Sequence, residues 1–287
     1  MVGSYINNLM ASFYLWLDHE VLSRGQAFKN YSGKLYYNQD RDYARSTVYT
    51  SPFKQWVSDS SINGAIIPSG VYVNGNFVPR GSSGLALDFW EGRVLFNTGV
   101  PNNITNITGQ YAIKDFNLYY TDEREEHLMF EKRYVLNAKT PRITGGINTD
   151  DFPFPCIFIK NRTLENKPFA FGGQDQTLSN IRCIVLADTI YKLDSVISIM
   201  ADSAKKVFPI VPQQQLPFNI SGDYKYGNNY NYPALASAVS SGSNLVYIDR
   251  VSVSKLEEFT NKHMSTKVVA ALVDFDVWSA RFTRVYS

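Results

Sequence analysis

The chain has 287 residues, 28 Lys and Arg against 26 Asp and Glu, and a formal net charge of +2. So even a balance excludes a protein that grips nucleic acid mainly by neutralising phosphates. A 44 % hydrophobic share with 14 % aromatics excludes a disordered chain, and the lack of any run of eighteen apolar residues excludes a spanning helix. The length suits one large β-rich domain or two ordinary ones.

Residues Tyr5 to Arg24 are predicted as a helix. Ile6, Leu9, Met10, Phe13, Leu17 and Val21 recur at three- and four-residue spacing, and Gly25 supplies the stop. Phe13, Tyr14, Leu15 and Trp16 are apolar nearly all round, which predicts cover on more than one side. The region shows no basic start or cleavage site of a signal peptide. Five Asn-x-Ser/Thr triplets, at Asn30, Asn103, Asn106, Asn161 and Asn219, therefore read as turn chemistry rather than glycosylation.

The period then changes from 3.6 to two. Strands are expected over Leu35 to Tyr37 and Thr47 to Trp56. VYVNGNFV at 71–78 predicts a hairpin, because both central positions of an Asn74-Gly75 turn need positive φ. Leu85 to Phe89 and Arg93 to Phe96 predict a second hairpin, and the two together a β-meander. The first hairpin is expected to project from the body. A lone ribbon is marginal in water, so the second hairpin or a neighbouring subunit must cover it, which makes Val71 and Val73 candidate subunit contacts.

Gly109 to Tyr120 and Leu128 to Leu136 read as two long strands joined by a solvated acidic tip, Asp122 to Glu126. Thr140 to Asp151 is polar and rich in turn formers, the best candidate linker. The predicted organisation is residues 1–140, an N-terminal helix plus a β-hairpin-rich region, and residues 141–287, a sheet-and-helix region, unless the two intertwine. Beyond the linker, strands are expected at Pro155 to Ile159, Asn166 to Gly173 and Ile181 to Ala187. Asp188 or Thr189 can cap a second helix running to about Val207, with Ile190, Leu193, Val196, Ile197, Met200 and Ala204 as its apolar face. Leu245 to Val253 and Val268 to Phe282 read as strands around a short helix from Lys255 to Lys262. The fold class is thus α+β: a hairpin-rich first half, then a sheet packed with one main helix.

No catalytic signature emerges. His19, His127 and His263 share no ligand spacing, and Asp18, His19 and Glu20 point in different directions on a helix, so no metal or other cofactor is expected. Cys156 and Cys183 sit in apolar strands and read as buried thiols. A nucleophile elbow and a phosphate-cradling glycine loop are both missing. Asp88 with Glu91, or Asp274 with Asp276, could serve glycoside hydrolysis, but such pairs equally suit a turn and a solvated strand face. Tyr43, Arg45, Phe53, Lys54 and Trp56 interleave aromatic and basic groups, a single-strand-binding pattern that the balanced charge weakens.

YTSPFKQWV at 49–57, IPSGVYV at 67–73, RGSSGLALDF at 80–89 and GRVLF at 92–96 resemble structural proteins of tailed-bacteriophage particles. FPCIFI at 154–159 and KPFAFGG at 167–173, followed by a sheet–helix unit, are similar to neck or tail-completion proteins. The resemblance implies a non-enzymatic virion protein, assembled in the host cytoplasm as a homo-oligomeric ring, commonly hexameric. It further implies neck or tail proteins as partners, DNA only as passing cargo, and a connector or tail-terminator station. The rival readings are a β-rich baseplate or host-binding protein and, behind it, a carbohydrate-active enzyme. The segment Gln213 to Tyr232 is long for a connection and rich in Tyr and Asn, which suits wet, adaptable contacts. Tyr224, Tyr226, Tyr230 and Tyr232 are accordingly expected in a subunit contact.

Overall fold

The computed structural model describes residues 5–38, 46–97, 106–136, 152–170, 173–218, 225, 229–239, 244–263 and 267–281. About 49 % is strand and 23 % helix, a mixed α+β protein in which sheet dominates. The predicted linker lies outside the described residues.

The first helix, α1 (Tyr5–Gly25), matches its predicted span and is buried without interruption from Ser12 to Asp18. Seven strands follow in the first sheet: β1 (Phe28–Asn38), β2 (Thr47–Thr50), β3 (Gly70–Val73), β4 (Asn76–Pro79), β5 (Leu85–Asp88), β6 (Arg93–Phe96) and β7 (Ile107–Lys114). Their spatial order is β4-β3-β7-β1-β2-β6-β5. The two hairpins form as predicted, and Asn74 (φ 49°) and Gly75 (φ 86°) adopt the positive angles that the tight turn demands. They do not form a meander. β3 pairs with β7 and β5 with β6 against β2, so the hairpins stand at opposite ends of the sheet.

β1 joins those ends. Its residues 28–35 pair with β7 and its residues 36–38 with β2, and the sheet curls until Val71, Leu85 and Leu87 share one core with Leu35, Trp56 and Tyr111. Thr47 to Trp56 is strand only as far as Thr50. Residues 51–59 are irregular yet wholly buried, because their amides reach other loops: Gln55 N–H donates to Trp90 C=O and Trp56 N–H to Phe89 C=O, both at 2.8 Å. Gly92 (φ 64°) permits this approach, since a Cβ there would sit 2.1 Å from the Phe53 carbonyl oxygen.

The predicted strand Gly109 to Tyr120 breaks at Asp115-Phe116, where the chain passes from β7 in the first sheet to β8 (Asn117–Tyr120) in the second. The Gln55 side chain holds that junction by donating to Leu118 C=O (2.8 Å) and accepting from Leu118 N–H (2.9 Å). The expected strand Leu128 to Leu136 is a π-helical turn (His127–Glu131) followed by the short β9 (Tyr134–Leu136). Its sequence carries a helical signal: Glu123, His127 and Glu131 recur every four residues, and His127 lies 3.4 Å and 3.1 Å from the two carboxylates. The acidic tip is only partly solvated, because Glu125 pairs with Arg182 at 2.8 Å.

β10 (Phe152–Phe154) pairs with β9, and β11 (Cys156–Ala170) with β12 (Gln174–Ala187) forms a long hairpin. Thr189 caps α2 (Ile190–Ala201), whose Leu193, Val196, Ile197 and Met200 are buried as predicted, whereas Ile190 is exposed and Ala204 lies beyond the helix end. α2 stops before Val207 because Lys205 takes φ 67° and its N–H donates to Ile248 C=O. Then come β13 (Val207–Pro209), α3 (Tyr232–Val239), β14 (Leu245–Lys255), β15 (Phe259–Thr260) and β16 (Lys267–Arg281). No helix spans Lys255 to Lys262 among these elements; Asn261 instead donates to the Met129 and Lys132 carbonyls and draws this loop onto the π-helical turn.

The second sheet runs β13-β14-β16-β12-β11-β8, with β15 beside β16. α1, α2 and α3 pack on one of its faces, so a helix from the first half belongs to a core of the second, and the helical cover is threefold rather than a single main helix. The opposite face, around Phe154, Phe158, Ile184 and Val268, is covered by Leu128 of the π-helical turn and by Tyr134. Cys156 and Cys183 are free, buried and on opposite faces of this sheet. Burial raises both thiol pKa values, which leaves them inert.

Candidate assembly surface

The residues expected at a subunit contact are placed differently by the fold. Val71 is buried in the first core, and Val73 is half-buried against it, so their cover comes from β7 and the curled sheet. The other face of the hairpin is open, with Phe77 49 % exposed. Tyr224 and Tyr226 lie outside the described residues. Tyr230 and Tyr232 are buried in the core shared with α1, because the α1 face turned towards them is polar and needs partners.

Those partners form a charged cluster. Lys114 Nζ lies 2.7 Å from Asp18 Oδ1, and Tyr230 donates its hydroxyl to Asp18 Oδ2 at 2.9 Å. His19 Nδ1 lies 2.8 Å from Asp59 Oδ2, and the His19 ring packs on Tyr232 with centroids 4.9 Å apart. Asp59 Oδ1 accepts from the Ser61 hydroxyl (2.7 Å), the Ser61 N–H (3.0 Å) and the Tyr232 N–H (3.2 Å). Burial would push the Asp59 carboxyl up, yet His19 and these donors outweigh it and hold the pKa below its ordinary value. A depressed carboxyl contributes stability above its unfolded pKa and loses it as pH falls through the folded value. Stability is therefore expected to fall below about pH 4, with a shallower acid limb in Asp59→Asn when urea midpoints are measured against pH.

A larger open strip lies on the second sheet. Along β12, residues 175–181 alternate between buried odd positions and half-exposed even ones, and residues 183–187 are buried on both faces. β16 repeats this, with both faces buried at residues 268–271. The outer half of one face is thus only partly covered among the described residues. Strand register sets Val207, Tyr247, Trp278 and Leu178 in a row across four strands there. Tyr247 stacks on Trp278 with ring centroids 4.5 Å apart, and Val207 (41 %) and Tyr247 (37 %) are exposed. Polar rows border the strip: Arg182 holds Asp274 through two bonds of 2.7 Å, and Asn180 donates to Asp276 at 2.8 Å. Asp274 and Asp276 are thus engaged along a strand face. Asp88 is likewise engaged, accepting from the Trp90 and Glu91 N–H groups in its turn.

A second apolar patch stands on the helical side of the same sheet. At the start of α2, Ile190 is 62 % and Tyr191 82 % exposed. The sheet edges themselves are poor docking sites. Lys167 and Pro168 lie on the outer reach of β11, and register shifts interrupt it at Asn161/Thr163 and β14 at Ile248/Arg250. Both patches escape the sequence pattern, although Tyr191, two residues after the capping Thr189, and Trp278, on the side of β16 away from the buried Val277, are visible signals.

Among the described residues, no group of three or more His, Cys, Asp or Glu converges to hold a metal ion, and no helix is long and apolar enough to cross a membrane. No family model matches the chain, and no curated protein matches it. The class that fold and surface define is a sheet-rich α+β protein with two exposed apolar patches on opposite faces of one sheet.

Proposed function

We propose that this chain is a structural protein of a tailed-bacteriophage particle, forming a homo-oligomeric ring in the neck or upper tail around the DNA path. The resemblance of its motifs to virion proteins supplies the particle. The observation that carries the ring is the pair of unlike apolar patches, the Tyr247–Trp278 strip and the Ile190–Tyr191 corner. Identical patches that face themselves close a dimer, whereas two different patches on opposite faces join copies head to tail, and a suitable rotation closes them into a ring. The strip has the form of a contact: an apolar centre with a polar rim.

Native mass measurement tests this reading. The expected assembly is a closed ring, six copies being the expected number. Tyr191→Asp and Trp278→Asp are each expected to give folded monomers. An equimolar mixture of the two should give a one-to-one dimer, because each variant keeps the patch that the other has lost. A trimer would favour the baseplate or host-binding reading instead. A wild-type monomer at high concentration would overturn the ring.

A further inference from the structure

We infer that the cavity at the junction of the two sheets is a binding site for an uncharged sugar unit. Its volume is about 220 Å³. At roughly 30 Å³ per molecule it would hold about seven waters, or one six-membered sugar ring with its hydroxyls.

Several separate stretches of chain meet there. Lys54 and Gln55 come from the buried segment before β3, Trp90 and Glu91 from the β5–β6 turn, and Tyr119 to Thr121 from the end of β8. Glu123, Lys132, Phe152 and Phe158 close the other side. The floor is built rather than incidental. Lys54 is 4 % exposed, and its Nζ lies 3.0 Å from Glu91 Oε2. Tyr119 is 7 % exposed, stacked on Phe158 at 5.4 Å and edge-on to Trp90 at 5.7 Å. Its hydroxyl is buried and has no hydrogen-bond partner among the described residues. A buried hydroxyl without a partner costs free energy, and a ligand hydroxyl removes that cost.

The balance of charge selects the ligand class. Two ammonium groups (Lys54, Lys132) meet two carboxyls (Glu91, Glu123), and Lys132 sits between Glu123 and the Phe152 ring, 3.9 Å from its centroid. The formal charges in the lining cancel, so it favours neither an anion nor a cation. Burial raises the Glu91 pKa against the opposing pull of Lys54, and the paired ammonium and carboxyl groups offer both donors and acceptors. Donors and acceptors of both kinds beside aromatic walls suit a ring with an apolar C–H surface and a rim of hydroxyls. Tyr120, 59 % exposed, stands at the mouth. This inference is independent of the ring assembly.

The intact chain is titrated with D-glucose, D-galactose, D-mannose and N-acetyl-D-glucosamine to tens of millimolar, with glycine and inorganic phosphate as charged controls. Backbone amide shifts and the Trp90 indole signal report binding. At least one sugar is expected to saturate, with shifts centred on Trp90, Tyr119 and Thr121. Tyr119→Phe, which removes only the hydroxyl, is expected to weaken that sugar about tenfold while leaving the melting temperature equal or higher. Tyr120→Ala, at an exposed position where folding is not at stake, is expected to weaken it as well. No saturation by any sugar, a preference for glycine or phosphate, or equal sugar affinity in both variants would overturn the assignment.

Discussion

Lys114→Ala is expected to cost about 3–5 kcal/mol of folding stability in urea or thermal unfolding. Lys114 is 4 % and Asp18 1 % exposed, and the 2.7 Å contact joins β7 of the first sheet to α1 on the second. Truncating the lysine leaves a buried carboxylate with the Tyr230 hydroxyl but no counter-charge, and desolvation of that charge is no longer offset. The opposite expectation holds for removing both charges. Asp18→Leu combined with Lys114→Met replaces a buried pair by apolar volume, a change often near neutral. Most of the loss should therefore return in the double variant, and the thermodynamic cycle yields the coupling directly. Equal losses in the single and the double variant would show that packing, not charge, holds this junction.

Much of this fold was legible where one local signal dominated. α1 announced itself by spacing and by its terminal glycine, and its continuous burial by the apolar run from Phe13 to Trp16. Asn74-Gly75 dictated its turn because few other residues accept those angles. Thr189 capped α2 as its side chain allows. The failures share a cause. The two hairpins look consecutive in sequence, but their partners, β7 and β2, lie elsewhere in the chain, and pairing across such distances has no local mark. Between Gly109 and Tyr120 the adjacent polar Lys114-Asp115 shifts the alternation by one residue where the chain changes sheets, and the apolar residues on both sides mask that break. α3 was missed despite adequate signals, since Asn231 accepts from Ala234 N–H and Pro233 suits a first turn. The surrounding tyrosines and asparagines mask that cap in the sequence. The cavity was the least legible feature, because Lys54, Glu91, Tyr119 and Lys132 meet only through two sheets folding against each other.

Replacing Tyr230 and Tyr232 together by Ser is expected to lower the stability of the monomer itself by at least about 4 kcal/mol. Each tyrosine is less than a tenth exposed and packs into the core that α1 shares with the second sheet. Tyr230 also satisfies Asp18, while its backbone accepts from the Ser60 N–H at 2.7 Å and donates to the Ser58 C=O at 3.0 Å. The Tyr232 ring lies against His19, beside the carboxylate of Asp59. Serine fills neither volume and cannot reach Asp18, so a cavity and an under-satisfied carboxylate arise together. The two losses lie in one cluster and will not simply add. A domain holding only about 5–15 kcal/mol in total would come close to unfolding. Urea midpoints measured at dilutions where wild type is monomeric isolate this effect from assembly. Tyr191→Asp is the companion measurement: it should leave the midpoint in place and abolish the ring. If instead the tyrosine pair left the midpoint unmoved and dissolved the ring, the core placement of Tyr230 and Tyr232 would be wrong, and the segment around them would belong to the contact between subunits.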